Sequence, residues 1–528
     1  MPHYIAASIG PIHHTIREAI STKAMWTASY LFSYIMREVV EKVQNAGDLL
    51  LPDLSEIQKE KQKNILDVVG LFPDRFFLKT SQTEEAQKII KEALNDTLEK
   101  LSKIIEKDLD SPSQSSILDF LKSYLNFNYV CYEANENAIE IGNNFLDGLE
   151  TKTIFPAKGN EVHNILLAFF ELEQSNFFVE KYKKATVVKN IPDLSSIAKG
   201  GKSKEYQFQQ YVAVCYADAD HIGKLIKNTN NDDQIKCVSK NLMRYSIEAT
   251  QAVNDFGGLT VFAGGDDLLF FAPLIGKENQ DIFGLMEKLD TLFIKYITKN
   301  EELKPFIRKD EKPSLSVGIS MAYHKFPLKE MLTQANTLLL QEAKKHRNSI
   351  AFSLRKHSGQ MMESVLNKSD AMESVLNKSD AMESVLNKSD AMESVLNKSD
   401  DNVLTSFNNL IKLAISRSEN DQILSSMIHR FSVHHPVFVG MFETFGDEFK
   451  NYIPHWFKNN FNEAPHGQGS YMKAIKSLLT NILSAHYHQT EGSNDEKVTL
   501  ALKKLYTCAR YADFLQSPIK KSTPKIKR

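Results

Sequence analysis

Four aspartates and two glycines in the middle of the chain are of the right types and spacing to do chemistry together. The apolar run Tyr211-Val-Ala-Val-Cys-Tyr-Ala217 ends on Asp218-Ala-Asp220, and about 45 residues later Gly264-Gly265-Asp266-Asp267 separates the apolar runs Leu259–Ala263 and Leu268–Ala272. If the first run is a strand and the other two a hairpin of a split βαβ unit, the third strand lies antiparallel beside the first, and the hairpin turn sits at the first strand's C-terminal end. Carboxylates gathered there with few basic groups repel one another unless divalent cations bind, and hard oxygen donors favour Mg2+ or Mn2+ over zinc. Two such ions ~3.5–4 Å apart can activate a hydroxyl and stabilise the leaving oxygen of an in-line nucleotidyl displacement. Gly264 and Gly265 would let a base or phosphate approach the backbone. Lys344, Lys345 and Arg347, ending a later helical stretch, are candidates to hold a leaving polyphosphate.

Each feature also has a plain structural reading. Gly-Gly-Asp-Asp alone suits a polar hairpin tip, Lys344 to Arg347 a solvated helix end, His221 and His324 local structure, and Cys215 and Cys237 buried apolar positions. The order of the elements favours chemistry: an apolar strand ending on Asp-x-Asp, a hairpin tipped by Gly-Gly-Asp-Asp, then a strand and a helix ending in basic residues.

The chain that must position them has 528 residues, enough for three or four domains. With 42% apolar and 25% charged residues it can build real cores, which excludes wholesale disorder. The net charge of −2 gives no global positive field for nucleic acid, so RNA or DNA contact must come from local patches or partner subunits. Cys131, Cys215, Cys237 and Cys508 form no CxxC pair, so neither a zinc ribbon nor a disulfide framework is signalled. Without a secretory leader or a run of ~18 apolar residues, the expectation is a soluble cytoplasmic protein with no membrane span.

Strand-like Tyr4–Ile9, a helical pattern from Thr15 to Val43, strand candidates Asp48–Leu51 and Arg75–Lys79, and a helix from Thr83 to about Lys107 give β-α-β-β-α over residues 1–114, most of a ferredoxin-like unit. Residues 115–197 read as a helical domain, and the Gly-, Ser- and Lys-rich stretch up to Lys204 as a linker. A complete β-α-β-β-α-β pattern with a trailing helix occupies 205–355. Residues 359–400 read as a linker built on four copies of Met-Glu-Ser-Val-Leu-Asn-Lys-Ser-Asp at a period of ten, whose apolar residues have helical spacing within a copy but form no continuous stripe. A C-terminal helical domain is expected over 401–516 and a basic tail over 517–528, with RNA phosphate as one possible partner. The fold class is α+β, with two ferredoxin-like domains separated and followed by helical ones.

The runs YADADHIGKLIKN, LTVFAGGDDLLFFAPL and SLSVGISMAYHKFPLKEML, with the later AKKHRN, resemble the second palm domain of the large subunit of type III CRISPR interference complexes, particularly the III-B kind. The N-terminal IGPIHHTIREAISTKAMWTASYLFSYI and the FPDRF at 72–76 resemble that subunit's first, degenerate palm. The resemblance implies an RNA-activated, ATP-using nucleotidyltransferase that makes an oligoadenylate-type second messenger. Asp218, Asp266 and Asp267 would hold the metals, Gly264 and Gly265 would line the nucleotide site, and Lys344 and Arg347 would contact the nucleotide's phosphates. It implies guide and target RNA as partners through a multisubunit complex, with small helical subunits at the C-terminal domain. The first palm has Gly10-Pro11 where the second has Asp218, so it would shape a pocket for the other nucleotide instead of holding metal.

The chain departs from the family pattern in having no His-Asp dipeptide, which leads to the expectation that the N-terminal HD nuclease domain is lacking, and in having no cysteine-rich zinc motif. Three alternatives stay open. Some nuclease-free relatives join AMP to S-adenosylmethionine. A diguanylate cyclase shares the palm but continues Gly-Gly-Asp/Glu-Glu-Phe where this chain has Gly-Gly-Asp-Asp-Leu. A catalytically silent scaffold would only position guide RNA.

Overall fold

Strand β1 (His3–Gly10) is buried at six consecutive positions because both faces of its sheet are covered. Ile5, Ala7 and Ile9 face the core that includes the helices Thr22–Val43 and Thr83–Leu109, while Tyr4 and Ala6 pack in a second cluster with Ala138, Ile139 and Leu146 of the helix Ala138–Glu150. The sheet also contains β2 (Asp48–Leu51), β3 (Arg75–Lys79) and β4 (Asn126–Glu133), in the order β2-β3-β1-β4 with antiparallel neighbours throughout. This is the complete ferredoxin-like order. The computed structural model describes residues 1–57, 59–151, 163–186, 190–200, 206–368, 403–416, 430–461 and 469–518.

Two expectations for this half need correction. The stretch read as mainly helical from 115 onward contains β4, which closes the first sheet; its half-buried edge position gives little of the apolar signature on which a sequence reading depends. The continuous helix from Thr15 is two helices, Ile12–Glu18 and Thr22–Val43, broken where Ser21 caps the second by accepting the amide of Ala24 at 3.1 Å.

The second sheet has the order β10-β9-β8-β5-β7-β6. Its ferredoxin-like part is β5 (Tyr211–Asp220), β6 (Leu259–Gly264), β7 (Asp267–Pro273) and β8 (Ser314–Tyr323). Beyond β8 lie β9 (Ser349–Arg355), parallel to it, and β10 (Met361–Asn367), antiparallel to β9. Strand β10 corrects the linker reading of 359–400, because the first copy of the repeat is a sheet strand. Met362 and Leu366 are buried, and the ammonium of Lys368 lies 2.5 Å from Asp290 Oδ1, both side chains almost fully enclosed. The helical spacing within the copy is overridden by pairing with β9. Residues 369–402, with the other three copies, lie outside the described residues, as do most of the linker before 206 and the basic tail from 519.

The two sheets are joined. The Ala263 amide donates to the Gly70 carbonyl at 3.0 Å, Gly70 bridges Phe262 in parallel, and Arg244 pairs with the buried carboxylate of Glu56 at 2.9 Å. Past the repeats, the helices Val403–Ser416 and Asn494–Gln516 seal the second sheet, with the rings of Phe407 and Tyr511 packed around Phe283 and Phe352. The fold is α+β. No helix among the described residues is long and apolar enough to cross a membrane.

Candidate active site

Asp218 and Asp267 are direct partners in the β5/β7 ladder, and the Ala219 amide donates to the Asp266 carbonyl at 3.2 Å. Register alone therefore brings the three predicted carboxylate positions to one end of the sheet. Gly264 and Asp267 pair at the hairpin's end, leaving Gly265 and Asp266 as a two-residue turn. Gly265 has φ of +66°, which a two-residue hairpin turn with glycine in first place requires. A Cβ on Gly265 would meet nothing within 4 Å, whereas one on Gly264 would touch Pro73 Cα of the first domain at 3.6 Å.

Lys344 is held among the aspartates of β5. Its ammonium lies 2.8 Å from Asp218 Oδ1, 3.1 Å from Asp220 Oδ1 and 2.9 Å from the Ala219 carbonyl. Asp220, which the sequence reading left out of the metal set, is buried, and its Oδ2 accepts from Ser314 Oγ and Ser316 Oγ, both at 2.7 Å, and from the Asn348 amide at 3.1 Å. Burial alone would push its carboxyl up, but Lys344, the two serines and that amide hold it below the usual carboxylate range. Arg347, expected at phosphate, instead lies with Nη1 2.8 Å from His221 Nε2, and both residues have left-handed backbones, with φ of 53° and 65°. An arginine can only donate, so His221 Nε2 accepts.

The remaining three carboxylates are short of positive charge. Asp218 is raised by burial against the opposing pull of Lys344. Asp266 is pushed up to about 6 by burial and then by Asp218. Asp267 is also pushed well up, by burial and by Asp266, Asp218 and, from the first domain, Asp74. Asp267 is nevertheless solvent-accessible and lines a cavity of about 450 Å3 between the two domains. Pro11, His13, His14, Asp74 and Asn126 line it from the first domain, and Gly264 and Asp267 from the second. A larger cleft, about 1040 Å3, lies beyond His221 and touches none of Asp218, Asp266 or Asp267.

Hard oxygen donors with unneutralised mutual repulsion suit Mg2+ or Mn2+. Among the described residues, however, no three His, Cys, Asp or Glu side chains are grouped to hold an ion, and Asp218 presents Oδ1 to Lys344. The donor set fits the metal chemically, in a conformation where a lysine takes one of the ligands.

Sequence reasoning missed Asp220 as a hub and Asp74 as the acid facing the site. The Asp-x-Asp spacing does signal Asp220, since residues two apart on a strand share a face. Asp74 lies in the Phe-Pro-Asp-Arg-Phe run that marks the first domain, but only the packing of the two domains puts it opposite Asp267.

Two ferredoxin-like sheets meeting across a carboxylate-lined cavity define a paired-palm protein. The family model for the second palm domain of Cas10/Cmr2 matches residues 211–351, and that for the N-terminal part of the CRISPR-associated protein Cmr2 matches residues 4–106. Both matches are to the Cas10/Cmr2 family of type III CRISPR subunits. It is similar to the CRISPR system Cmr subunit Cmr2 of Pyrococcus furiosus, with 26% identity over 184 residues, 30% of this chain and 20% of that protein. Among solved structures it is similar to a Csm1-Csm4 cassette in complex with one ATP, at 14% identity and a TM-score of 0.41, covering 66% of this chain and 54% of that one. It is also similar to the apo state of a type III-B Cmr-beta complex, at 11% identity and a TM-score of 0.49, covering 87% and 77%. The chain thus spans about half the length of the Csm1-Csm4 chain, and its match to the curated relative spans a fifth of that protein.

Proposed function

We propose that this chain is the nucleotidyltransferase subunit of a type III CRISPR complex and converts ATP into an oligoadenylate-type product when the complex engages target RNA. One observation carries the reading: Asp218 and Asp267 face each other in register, with Asp266 in the adjoining turn, and Asp267 lines a cavity of nucleotide size. The match of residues 211–351 to the second palm domain of Cas10/Cmr2 supports it.

Bound at these carboxylates, Mg2+ or Mn2+ would activate the attacking hydroxyl and stabilise the leaving oxygen. Asp218, Asp266 and Asp267 would hold it. The chain's own work is orientation: Gly264 and Gly265 leave room for the nucleotide against the hairpin, the first domain supplies one side of the cavity, and Lys344, held on Asp218, would have to leave that carboxylate to meet a departing polyphosphate. A ribose hydroxyl of one nucleotide attacks the α-phosphorus of the other, the bond to the β-phosphate oxygen breaks, and pyrophosphate leaves. With a net charge of −2, guide and target RNA would be held mainly through partner subunits in the cytoplasm, small helical ones packing on the C-terminal helices.

A second reading, transfer of AMP to S-adenosylmethionine, is favoured by Asp74 and Glu150 in the cavity lining. Their acidity suits a cationic co-substrate and opposes a second triphosphate. Mass spectrometry of small molecules made by the RNA-activated complex from ATP, with and without S-adenosylmethionine, tests both. Oligoadenylates from ATP alone support the first, and a product that requires S-adenosylmethionine supports the second. Products made only from GTP, or no pyrophosphate from any nucleotide, would refute both.

A further inference from the structure

The ammonium of Lys344 has three N–H groups and three acceptors within 3.1 Å: Asp218 Oδ1, Asp220 Oδ1 and the Ala219 carbonyl. Its donor capacity is therefore used up within β5, and none is left for a phosphate. The arrangement is built, because Asp220 is fixed by Ser314, Ser316 and the Asn348 amide. Lys344 directly follows a π-helical segment, Leu338–Ala343, a local irregularity of the kind found at functional sites. Opposite it, Asp266 and Asp267 repel each other and Asp218, and Asp218 is the one of the three with a cation on it.

We infer that Lys344 is a resident counter-cation that competes with divalent metal for Asp218, and that Asp220 is the positioning residue that parks it there. Without nucleotide, the lysine keeps the rim from assembling a full metal-ligand set. When a metal-nucleotide complex arrives, Lys344 exchanges Asp218 for phosphate oxygen, and the freed carboxylate completes the set. Metal and nucleotide then bind with positive coupling, since each removes an obstacle to the other. This rests on the reading of Asp218 as a metal ligand given above.

The test is Mn2+ binding to the full chain without nucleotide, followed by electron paramagnetic resonance. Lys344→Met keeps the length of the side chain and removes its charge. It should bind Mn2+ at least tenfold more tightly than the wild type, and adding Asp218→Asn should abolish the gain. Equal or weaker binding by folded Lys344→Met overturns the inference, as does a gain that survives Asp218→Asn. Wild-type chain provides a second readout that does not depend on a variant folding. Lys344 should be among the lysines slowest to react with an acetylating reagent, and Mn2+ alone should raise its rate several-fold; an unchanged rate also overturns the inference. Failure of the underlying reading looks different: Mn2+ would not bind even with a non-hydrolysable ATP analogue, and the activated complex would release no pyrophosphate.

Discussion

At the residue scale, the site is a charge imbalance held in place by sheet register. Asp266→Asn with Asp267→Asn removes the charge and keeps the volume, so the double variant should lose product formation by about a thousandfold, several kcal/mol of barrier. Its melting temperature should stay level or rise, because the two carboxylates repel each other in the folded chain. Pyrophosphate release and thermal melting of the same samples check both; retained turnover, or a collapse in stability, would count against the assignment. The carboxylate positions were legible in sequence because each sits at the edge of an apolar strand. The roles of Asp218 and Asp220 were not, since they differ through Ser314, Ser316 and Lys344, about a hundred residues downstream. The placement of Arg347 was missed for the same kind of reason: its partner is His221, 126 residues earlier in the chain, which no local pattern reveals.

At the element scale, what matters is how the helix carrying Lys344 seats on the sheet. A Cβ on Gly318 in β8 would collide with the Ala335 carbonyl oxygen and the Leu339 amide nitrogen, so this strand and helix touch backbone to backbone. Gly318→Ala should lift the helix, cost about 1–3 kcal/mol as overpacking does, and lower turnover by moving Lys344. Denaturant unfolding with paired kinetics checks this; wild-type stability and turnover would show that the close approach is unimportant. The ferredoxin-like strands could be read from their apolar runs, and the hairpin from its glycines. Strands β4 and β10 could not. β4 is only half-buried along most of its length, and β10 shares its sequence with copies that lie elsewhere in the chain, so its strand state comes from β9 and from the Lys368–Asp290 pair.

At the scale of the whole molecule, the cavity exists because the first domain is clamped to the second through Gly70, Glu56 and the neighbouring strand ends, a relation that neither half's sequence encodes alone. The C-terminal helices contribute a pH dependence of their own. His486 is lowered to about 4 by burial and by Lys504, with its Nε2 enclosed and unpartnered and its Nδ1 2.9 Å from Thr490 Oγ1. The unfolded chain takes up that proton near pH 6.5 and the folded one only near 4, so stability is complete above about 6.5 and falls as pH drops toward 4, by about 2–3 kcal/mol. Urea unfolding of the wild type and His486→Leu across this range should show the slope in the first and a flatter profile in the second. Identical slopes would place the acid sensitivity elsewhere.

The most direct measurement is anomalous diffraction from crystals of the complex grown with Mn2+ and a non-hydrolysable ATP analogue. The account predicts manganese peaks about 2.1–2.2 Å from carboxylate oxygens of Asp218 and of Asp266 or Asp267, with the nucleotide against Gly264 and Gly265. Manganese bound elsewhere, with Asp218 still on Lys344 and the nucleotide outside the cavity, would contradict it.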